Sequence, residues 1–194
     1  MSIEAVKKFI AQKLLKGLDK RLSYHDLQHT LSVHAAVKFY AQEEGIPQEQ
    51  IKLLEIAALF HDSGFLKHRE GHESISCEIA RKELPVFGLN ENEIDQICKL
   101  IMATKVGYAP VNKLEMIMKD ADLDYLGTEN YFEISRRLFT ELMNFELIKS
   151  NESEWNHMQI AFLKKHRYHT NAAIQLREEG KQKTLNLLLK KKHV

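Results

Sequence analysis

The chain has 194 residues, of which 44% are hydrophobic and 28% are charged, so its length and composition suit one globular domain with a well-buried core. The formal net charge of +1 excludes a strong field that would attract nucleic acid or a membrane surface. No segment approaches the ~20 consecutive apolar residues that cross a bilayer. We therefore expect neither a nucleic-acid polymer nor a membrane among its partners.

Two features of the sequence indicate the compartment. Cys77 and Cys98 are widely spaced, which is typical of small buried side chains in a reducing environment. The first ten residues have the pattern of an amphipathic helix and lack the apolar core of a signal peptide. We expect a cytoplasmic protein that is a monomer or a homodimer.

The chain contains only eight glycines and three prolines, which favours helices over strands and turns. Apolar periodicity predicts helices over about 2–17, 24–44, 47–60, 72–84, 90–105 and 112–126, with two or three more after them. We find no strand alternation and no polar linker in the sequence. We therefore predict an all-α fold, a single compact helical bundle over 1–194 with C-terminal helices at about 129–190 packed on the preceding part.

The apolar segment Ile56–Phe60 predicts a helix that runs through the core. His61 and Asp62 follow it directly. An ionised carboxylate at the end of a core helix is costly unless it is paired, hydrogen-bonded or bound to a cation. Consecutive helical residues point about 100° apart, so both side chains could reach one ion. The alternative is an aspartate that caps a neighbouring helix beside a buried structural histidine.

Two histidines lie four residues apart on the second predicted helix, so His25 and His29 share one face. That face continues toward the core through Val33, Ala36 and Tyr40, which points the His29 ring inward. His25 lies one turn earlier, nearer the mouth of any cavity. Two such histidines are also compatible with a purely structural role.

Three aspartates alternate at the end of the sixth predicted helix. Asp122 lies on the apolar face, between Met118 and Leu126, and therefore points inward. Asp120 and Asp124 share a more polar face, and we expect both at a solvated edge. One of the two could still orient a ligand histidine through a hydrogen bond.

Two imidazoles and two carboxylates thus occupy inward-facing positions: His29, His61, Asp62 and Asp122. Four buried polar groups without partners would be energetically poor. A mixed set of nitrogen and oxygen atoms suits a divalent transition metal, and the lack of thiolates argues against a purely structural zinc site. The sequence therefore predicts a metal site at these four residues.

A histidine, a His-Asp pair about thirty residues later and an aspartate in an Ala-Asp-Leu setting together resemble the HD-domain phosphohydrolase superfamily. The resemblance covers roughly residues 20–130. It implies a helical core of the HD type that holds one divalent metal ion, of the class Mn, Co, Fe, Zn, Ni or Mg, through the same four residues. A second metal is less expected, because residues 101–105 offer no histidine although His72 is a candidate. Phe65 stands where many members have a lysine.

The resemblance also implies a reaction: cleavage of a phosphoester of a nucleotide or another small phosphorylated metabolite through a metal-activated water. Asp62 or Asp122 would accept the proton of that water. Tyr24-His25 with His29 is similar to the start of the cyclic-nucleotide phosphodiesterase site, in which the first histidine donates a proton to the leaving group. That residue is His25 here.

Phosphoryl transfer also needs polar and cationic groups against the phosphate, and the nearest candidates by sequence are Lys67, His68, Arg69, His72, Lys105 and the inward-pointing acid Glu73. The alternative for each cation is an exposed charge on a loop or at a helix end. Three other functions stay open. They are a regulatory domain that binds a nucleotide without hydrolysing it, a two-iron oxygenase of the HD type, and a structural helical protein without metal.

Overall fold

The computed structural model describes residues 2–191, and every regular element in that range is helical, which confirms the predicted all-α class. The α-helices of this range are α1 (Ile3–Gly17), α2 (Leu27–Glu43), α3 (Gln48–Phe60), α4 (His72–Glu83), α5 (Glu91–Ala103), α6 (Lys113–Asp122), α7 (Tyr131–Asn144), α8 (Glu152–Lys165) and α9 (Asn171–Lys191). Short 3₁₀ turns follow three of them, at Ser63–Leu66, Leu84–Phe87 and Asp124–Gly127. Within the described range, none of the helices combines the length and the hydropathy that a bilayer span requires.

The helix α3 forms the centre of the core. Its last five residues, Ile56–Phe60, are fully buried, as the apolar run predicts. It packs against α1, α2 and α5. The side chains that α1 contributes to this core are Val6, Ile10 and Leu14. They form one stripe at helical spacing, and each is at most 1% exposed. Each such buried aliphatic side chain contributes about 1.5–3 kcal/mol, so this stripe holds α1 against the rest of the core.

The second helix begins later than the sequence pattern predicts. It starts at Leu27 because the Asp26 side chain accepts a hydrogen bond from the backbone N–H of His29 (3.0 Å) and caps the helix. His25 therefore lies in the segment before α2, and the predicted helical face shared by the two histidines is wrong. The Asp26 carboxylate also pairs with Arg137 on α7 (2.6 Å), which ties this segment to the C-terminal helices.

Asp120 and Asp124 do not lie at a solvated edge, and the prediction for both is wrong. The buried Asp120 carboxylate accepts hydrogen bonds from the backbone N–H groups of His169 (3.0 Å) and Thr170 (2.8 Å), and from the Thr170 hydroxyl (2.8 Å). Asp124 accepts a hydrogen bond from Arg177 Nε on α9 (2.8 Å). The helical pattern of α6 gives no sign of these partners, because they come from the α8–α9 junction and from α9.

The helix α9 lies directly on the 3₁₀ turn that follows α6. A Cβ atom on Gly180 would lie 2.1 Å from the Gly127 carbonyl oxygen, and one on Gly127 would lie 2.3 Å from the Arg177 carbonyl oxygen. Both glycines are therefore needed for this close approach. The contact attaches the C-terminal helices to the preceding part of the chain. The division into an HD-type core at about 20–130 and a packed C-terminal region stays a prediction.

Candidate metal centre

The turn after α3 is fixed by the start of α4. The Ser76 hydroxyl donates to the His61 carbonyl oxygen (2.6 Å) and accepts from the Gly64 backbone N–H (2.8 Å). Gly64 permits the close approach of α4, because a Cβ atom there would lie 2.0 Å from the His72 carbonyl oxygen. The His-Asp pair therefore lies in a turn that is held by a hydrogen-bonded neighbour helix.

Four side chains converge beside this turn. His29 Nε2 lies 3.2 Å from both His61 Nε2 and Asp122 Oδ1. Asp62 Oδ2 lies 3.1 Å from His61 Nε2 and 3.4 Å from His29 Nε2. His61 Nε2 lies 3.4 Å from Asp122 Oδ1. The two histidines and Asp122 offer ligand atoms within 4.8 Å of one another, and Asp62 joins this cluster through the two histidines.

The spacing of these atoms fits a metal ion better than it fits hydrogen bonds. Metal–ligand bonds of about 2.0–2.2 Å place adjacent ligand atoms about 3.0–3.5 Å apart. The buried Asp62 Oδ2 has no hydrogen-bond partner in spite of its two imidazole neighbours. His61 Nδ1–H donates to the Ala58 carbonyl oxygen (2.8 Å), so Nε2 is the nitrogen that faces the cluster, and its lone pair is available to a cation that displaces the proton. The cluster could therefore hold a divalent cation.

The charges of the cluster also favour a bound cation. Burial alone would raise the pKa of Asp62, but the imidazoles of His61 and His72 outweigh it and lower that pKa well below its ordinary range. Burial would also raise the pKa of Asp122, and the imidazoles of His29 and His61 lower it. Burial lowers the pKa of His61, yet the two carboxylates raise it well above its ordinary value. Both carboxylates are thus ionised at neutral pH and favour a positive charge between them.

The second oxygen of Asp62 contacts α4. His72 Nε2 lies 3.3 Å from Asp62 Oδ1, while His72 Nδ1–H donates to the Arg69 carbonyl oxygen (3.1 Å). Glu73 is buried beside this ring, with its Oε1 3.7 Å from His72 Nε2. Of the residues predicted to contact substrate, His72 and Glu73 therefore lie beside the cluster.

Glu141 on α7 was not predicted from the sequence, yet it holds His25 in place. Its fully buried carboxylate lies 2.5 Å from His25 Nδ1 and accepts the backbone N–H groups of Tyr24 (2.8 Å) and His25 (3.0 Å). Arg69 Nη1 donates to the same carboxylate (3.0 Å). The His25 ring also stacks on Phe65, with ring centroids 4.5 Å apart.

A family model of the HD domain matches residues 26–124 of the 194, a stretch that includes all four converging residues. This chain belongs to the HD-domain family. No curated protein matches the chain.

Three solved structures resemble this HD-domain protein over nearly its whole length. A predicted HD superfamily hydrolase from an uncultured Thermotogales bacterium matches with a TM-score of 0.65 and 20% identity, over 96% of this chain and 89% of that one. Bacillus subtilis YpgQ, solved in complex with ADP, matches with a TM-score of 0.66 and 16% identity, over 97% and 95%. Lin1889 from Listeria innocua matches with a TM-score of 0.64 and 16% identity, over 100% of this chain and 99% of that one. At these identities the likeness shows a common fold.

The other residues predicted to bind substrate lie at the surface of the HD-domain protein. Lys67 is exposed and pairs with Glu78 (3.3 Å). His68 is exposed as well, and its Nδ1 accepts a hydrogen bond from the Glu70 backbone N–H (3.2 Å). Lys105 is exposed between α5 and α6. For Lys67 and His68, the described contacts lie outside the cluster.

A lysine that the sequence did not single out lies on the Asp122 side of the HD domain. Lys119 is half-buried one turn before Asp122, and its Nζ donates to the carbonyl oxygens of Ala103 (3.4 Å) and Lys105 (3.3 Å). Burial lowers the pKa of the Lys119 amine, although Asp122 and Asp120 oppose that shift. This lysine fixes the end of α5 against α6.

Proposed function

We propose that this HD-domain protein is a phosphohydrolase in which one divalent metal ion, held by His29, His61, Asp62 and Asp122, serves to cleave a phosphoester of a nucleotide or another small phosphorylated metabolite. One observation carries the proposal: the Nε2 atoms of His29 and His61 lie 3.2 Å apart, and each lies 3.1–3.4 Å from an oxygen of Asp62 and of Asp122, although the buried Asp62 Oδ2 has no hydrogen-bond partner. A fold relative solved with ADP supports a nucleotide-like ligand.

In this proposal the metal ion supplies a water of lowered pKa and polarises a phosphoryl oxygen. The ionised carboxylate of Asp122 or Asp62 accepts the proton of the attacking water. His25 donates a proton to the oxygen of the leaving group as its bond to phosphorus breaks. Both roles require side chains of fixed direction, because a proton moves only along a short, well-aligned contact.

The substrate is held by a second group of residues in this proposal. His72 and Glu73 are the first candidates, because their side chains lie against Asp62. Lys67, His68 and Lys105 reach the phosphate only if their exposed side chains turn toward the cluster when substrate binds. The pair on α4 is therefore the stronger candidate for contacts that orient the phosphoester.

Metal content and phosphate release test the function together. We expect wild-type protein to bind about one Mn²⁺, Co²⁺, Fe²⁺, Zn²⁺, Ni²⁺ or Mg²⁺ ion per chain and to release product from a panel of nucleoside monophosphates, cyclic nucleotides and small phosphoesters with at least one of them. His61→Ala removes a ligand and is expected to lose both properties. Glu115→Gln, in a buried residue that accepts hydrogen bonds at the start of α6, is the matched control and keeps both.

Other outcomes of the same assay favour the competing functions. Oxygen consumption by protein that contains two irons per chain would indicate an HD-type oxygenase. Nucleotide binding by metal-loaded protein, without release of product from any phosphoester, would indicate a regulatory domain. Wild-type protein that binds none of the metals would contradict the metal centre itself.

A further inference from the structure

Glu141 is a fully buried carboxylate in the C-terminal third of the chain, and it is surrounded by N–H groups from distant segments. It accepts hydrogen bonds from the backbone of Tyr24 and of His25, and its Oε1 lies 2.5 Å from His25 Nδ1. Arg69 Nη1 donates to the same oxygen (3.0 Å). Glu141 is 116 residues from His25 and 72 from Arg69, so this carboxylate joins three separate parts of the chain beside the metal centre.

The charge of Glu141 determines which nitrogen of His25 carries a hydrogen. Burial opposes an ionised carboxylate, but the hydrogen bonds from His25 outweigh it and lower the pKa of Glu141 to about 2. Near neutral pH the carboxylate is therefore ionised and can only accept hydrogen bonds. Nδ1 of His25 must then carry a hydrogen, which leaves Nε2 as the nitrogen that can exchange a proton with another molecule.

The His25 ring is held on its face and its edge as well. Phe65 stacks on it at 4.5 Å with an interplanar angle of 24°, and the Tyr24 ring meets it edge-on at 4.6 Å. The ring centroid lies 5.9 Å from that of His29, a residue of the metal centre. One hydrogen bond at Nδ1 and two ring contacts leave the imidazole few orientations. That fixation is what a proton donor needs.

We propose that Glu141 is a positioning residue for His25, which holds the imidazole with its hydrogen on Nδ1 and its Nε2 directed to the metal centre. In the reaction, the Nε2 proton of the imidazolium passes to the leaving oxygen as the P–O bond breaks, and the ring then regains a proton from solvent. This proton step rests on the phosphohydrolase function proposed above, whereas the orientation of the ring does not. The competing explanation is a structural carboxylate that only attaches α7 to the segment before α2.

The direct test measures which nitrogen of the His25 imidazole carries the hydrogen. In nitrogen-15 NMR of histidine-labelled protein loaded with Zn²⁺, we expect wild-type His25 with a hydrogen-bonded proton on Nδ1, and we assign its signals by their loss in His25→Ala. Glu141→Gln is expected to shift the ring toward the other tautomer and to remove the hydrogen-bonded Nδ1 signal. Glu115→Gln, in another buried glutamate with backbone and side-chain donors, is expected to leave the His25 signals unchanged.

The kinetic test compares two leaving groups. For an adenosine phosphoester, whose alkoxide must be protonated, we expect Glu141→Gln to lower kcat about 10- to 100-fold with KM nearly unchanged. For 4-nitrophenyl phosphate, whose phenolate leaves without a proton, kcat is expected to fall less than about threefold. The double variant with His25→Ala is expected to be no slower than His25→Ala alone, because residues that act as a unit are not additive.

Two outcomes would overturn the proposal. If Glu141→Gln is folded by thermal unfolding and keeps the wild-type signals of His25, Glu141 does not position the ring. If both substrates slow equally and the double variant is slower than either single variant, the carboxylate stabilises the fold without acting through His25. If the wild-type protein cleaves neither ester, the phosphohydrolase function fails, and the NMR result alone decides whether Glu141 orients His25.

Discussion

The regions around Asp120 and Asp122 lie on two faces of one helix and differ in how their charges are satisfied. Asp120 is 1% exposed, and its described donors are backbone N–H groups and a hydroxyl from the α8–α9 junction. The Asp122 side chain is 20% exposed and faces the ring nitrogens of His29 and His61. In the first region each contact is a hydrogen bond from a fixed donor. In the second region, the atoms that face Asp122 are ring nitrogens that could hold a metal ion together with it.

The difference shows what a buried carboxylate does in each region. A carboxylate that receives several hydrogen bonds is stable where it lies and contributes to the fold. A buried oxygen such as Asp62 Oδ2, which has no hydrogen-bond partner, is costly unless a cation binds to it. The unpartnered Asp62 Oδ2 therefore marks the candidate metal cluster, whereas the hydrogen-bonded Asp120 attaches the α8–α9 junction to α6.

The largest expected effect comes from removing a ligand in the region around Asp122. Removal of a residue that only supports a ligand lowers metal affinity about 10- to 100-fold, so we expect His61→Ala, which removes a ligand itself, to lower it more than about 100-fold. Isothermal titration with Mn²⁺ measures the affinity, and a nucleotide assay measures the accompanying loss of activity. Wild-type affinity in a folded His61→Ala protein would break the distinction between the two regions.

The same distinction predicts a different result for Asp120→Ala. This change leaves the N–H groups of His169 and Thr170 and the Thr170 hydroxyl without their acceptor, which is expected to lower the free energy of unfolding by about 3–5 kcal/mol. Mn²⁺ affinity of the folded protein is expected to stay at the wild-type value. Urea unfolding and titration of the matched variant Asp122→Ala complete the comparison, because Asp122→Ala is expected to lose metal affinity. Equal metal loss in both variants would contradict it.

The convergence of His29, His61, Asp62 and Asp122 was predictable from the sequence, because the burial of each residue can be inferred from the local pattern around it. His61 and Asp62 follow the fully apolar segment Ile56–Phe60, and Asp122 lies on the apolar side of its own helix, so burial and chemistry could be inferred without knowing the fold. Asp120 could not be placed this way, since its donors come from residues about 50 positions later. A helical pattern describes one element and gives no information about which loop will cover it.

The role of Glu141 could not be predicted from the sequence for the same reason. Glu141 lies ten residues after the buried Tyr131 of α7 and six after the buried Ser135, spacings that place it away from their face of the helix, so the local pattern gives no sign that it is buried. Its role depends on His25, which lies 116 residues earlier. His25 itself was predicted on a helix because the apolar pattern does not show at which residue a helix begins. The cap formed by Asp26 starts α2 after His25.

A smaller effect is expected where α9 lies on the turn after α6. In Gly180→Ala the new methyl group would meet the Gly127 carbonyl oxygen at 2.1 Å, so α9 must move away. Backbone shifts of this kind cost about 1–3 kcal/mol, and we expect a corresponding loss in urea unfolding without a change in Mn²⁺ affinity. Gly180 is not among the glycines with positive φ, so the expected loss comes from the clash and not from backbone strain. A wild-type unfolding curve for Gly180→Ala would mean that α9 is not held at this turn.

The smallest effect is the pH dependence that Glu141 adds to folding. Its pKa is about 2 in the folded protein and 4.5 as the ordinary value, so its stabilising contribution is complete above pH 4.5 and is lost as the pH falls toward 2. At pH 4 the loss is about 1 kcal/mol by linkage. Urea unfolding of metal-free wild type and of Glu141→Gln at pH 7 and pH 4 isolates this contribution, because the other carboxylates titrate in both proteins. The stability difference between the two is expected to shrink by that amount at pH 4. An unchanged difference would mean that the His25 and Arg69 contacts do not stabilise the ionised carboxylate, and Glu141 would then belong with neither of the two regions.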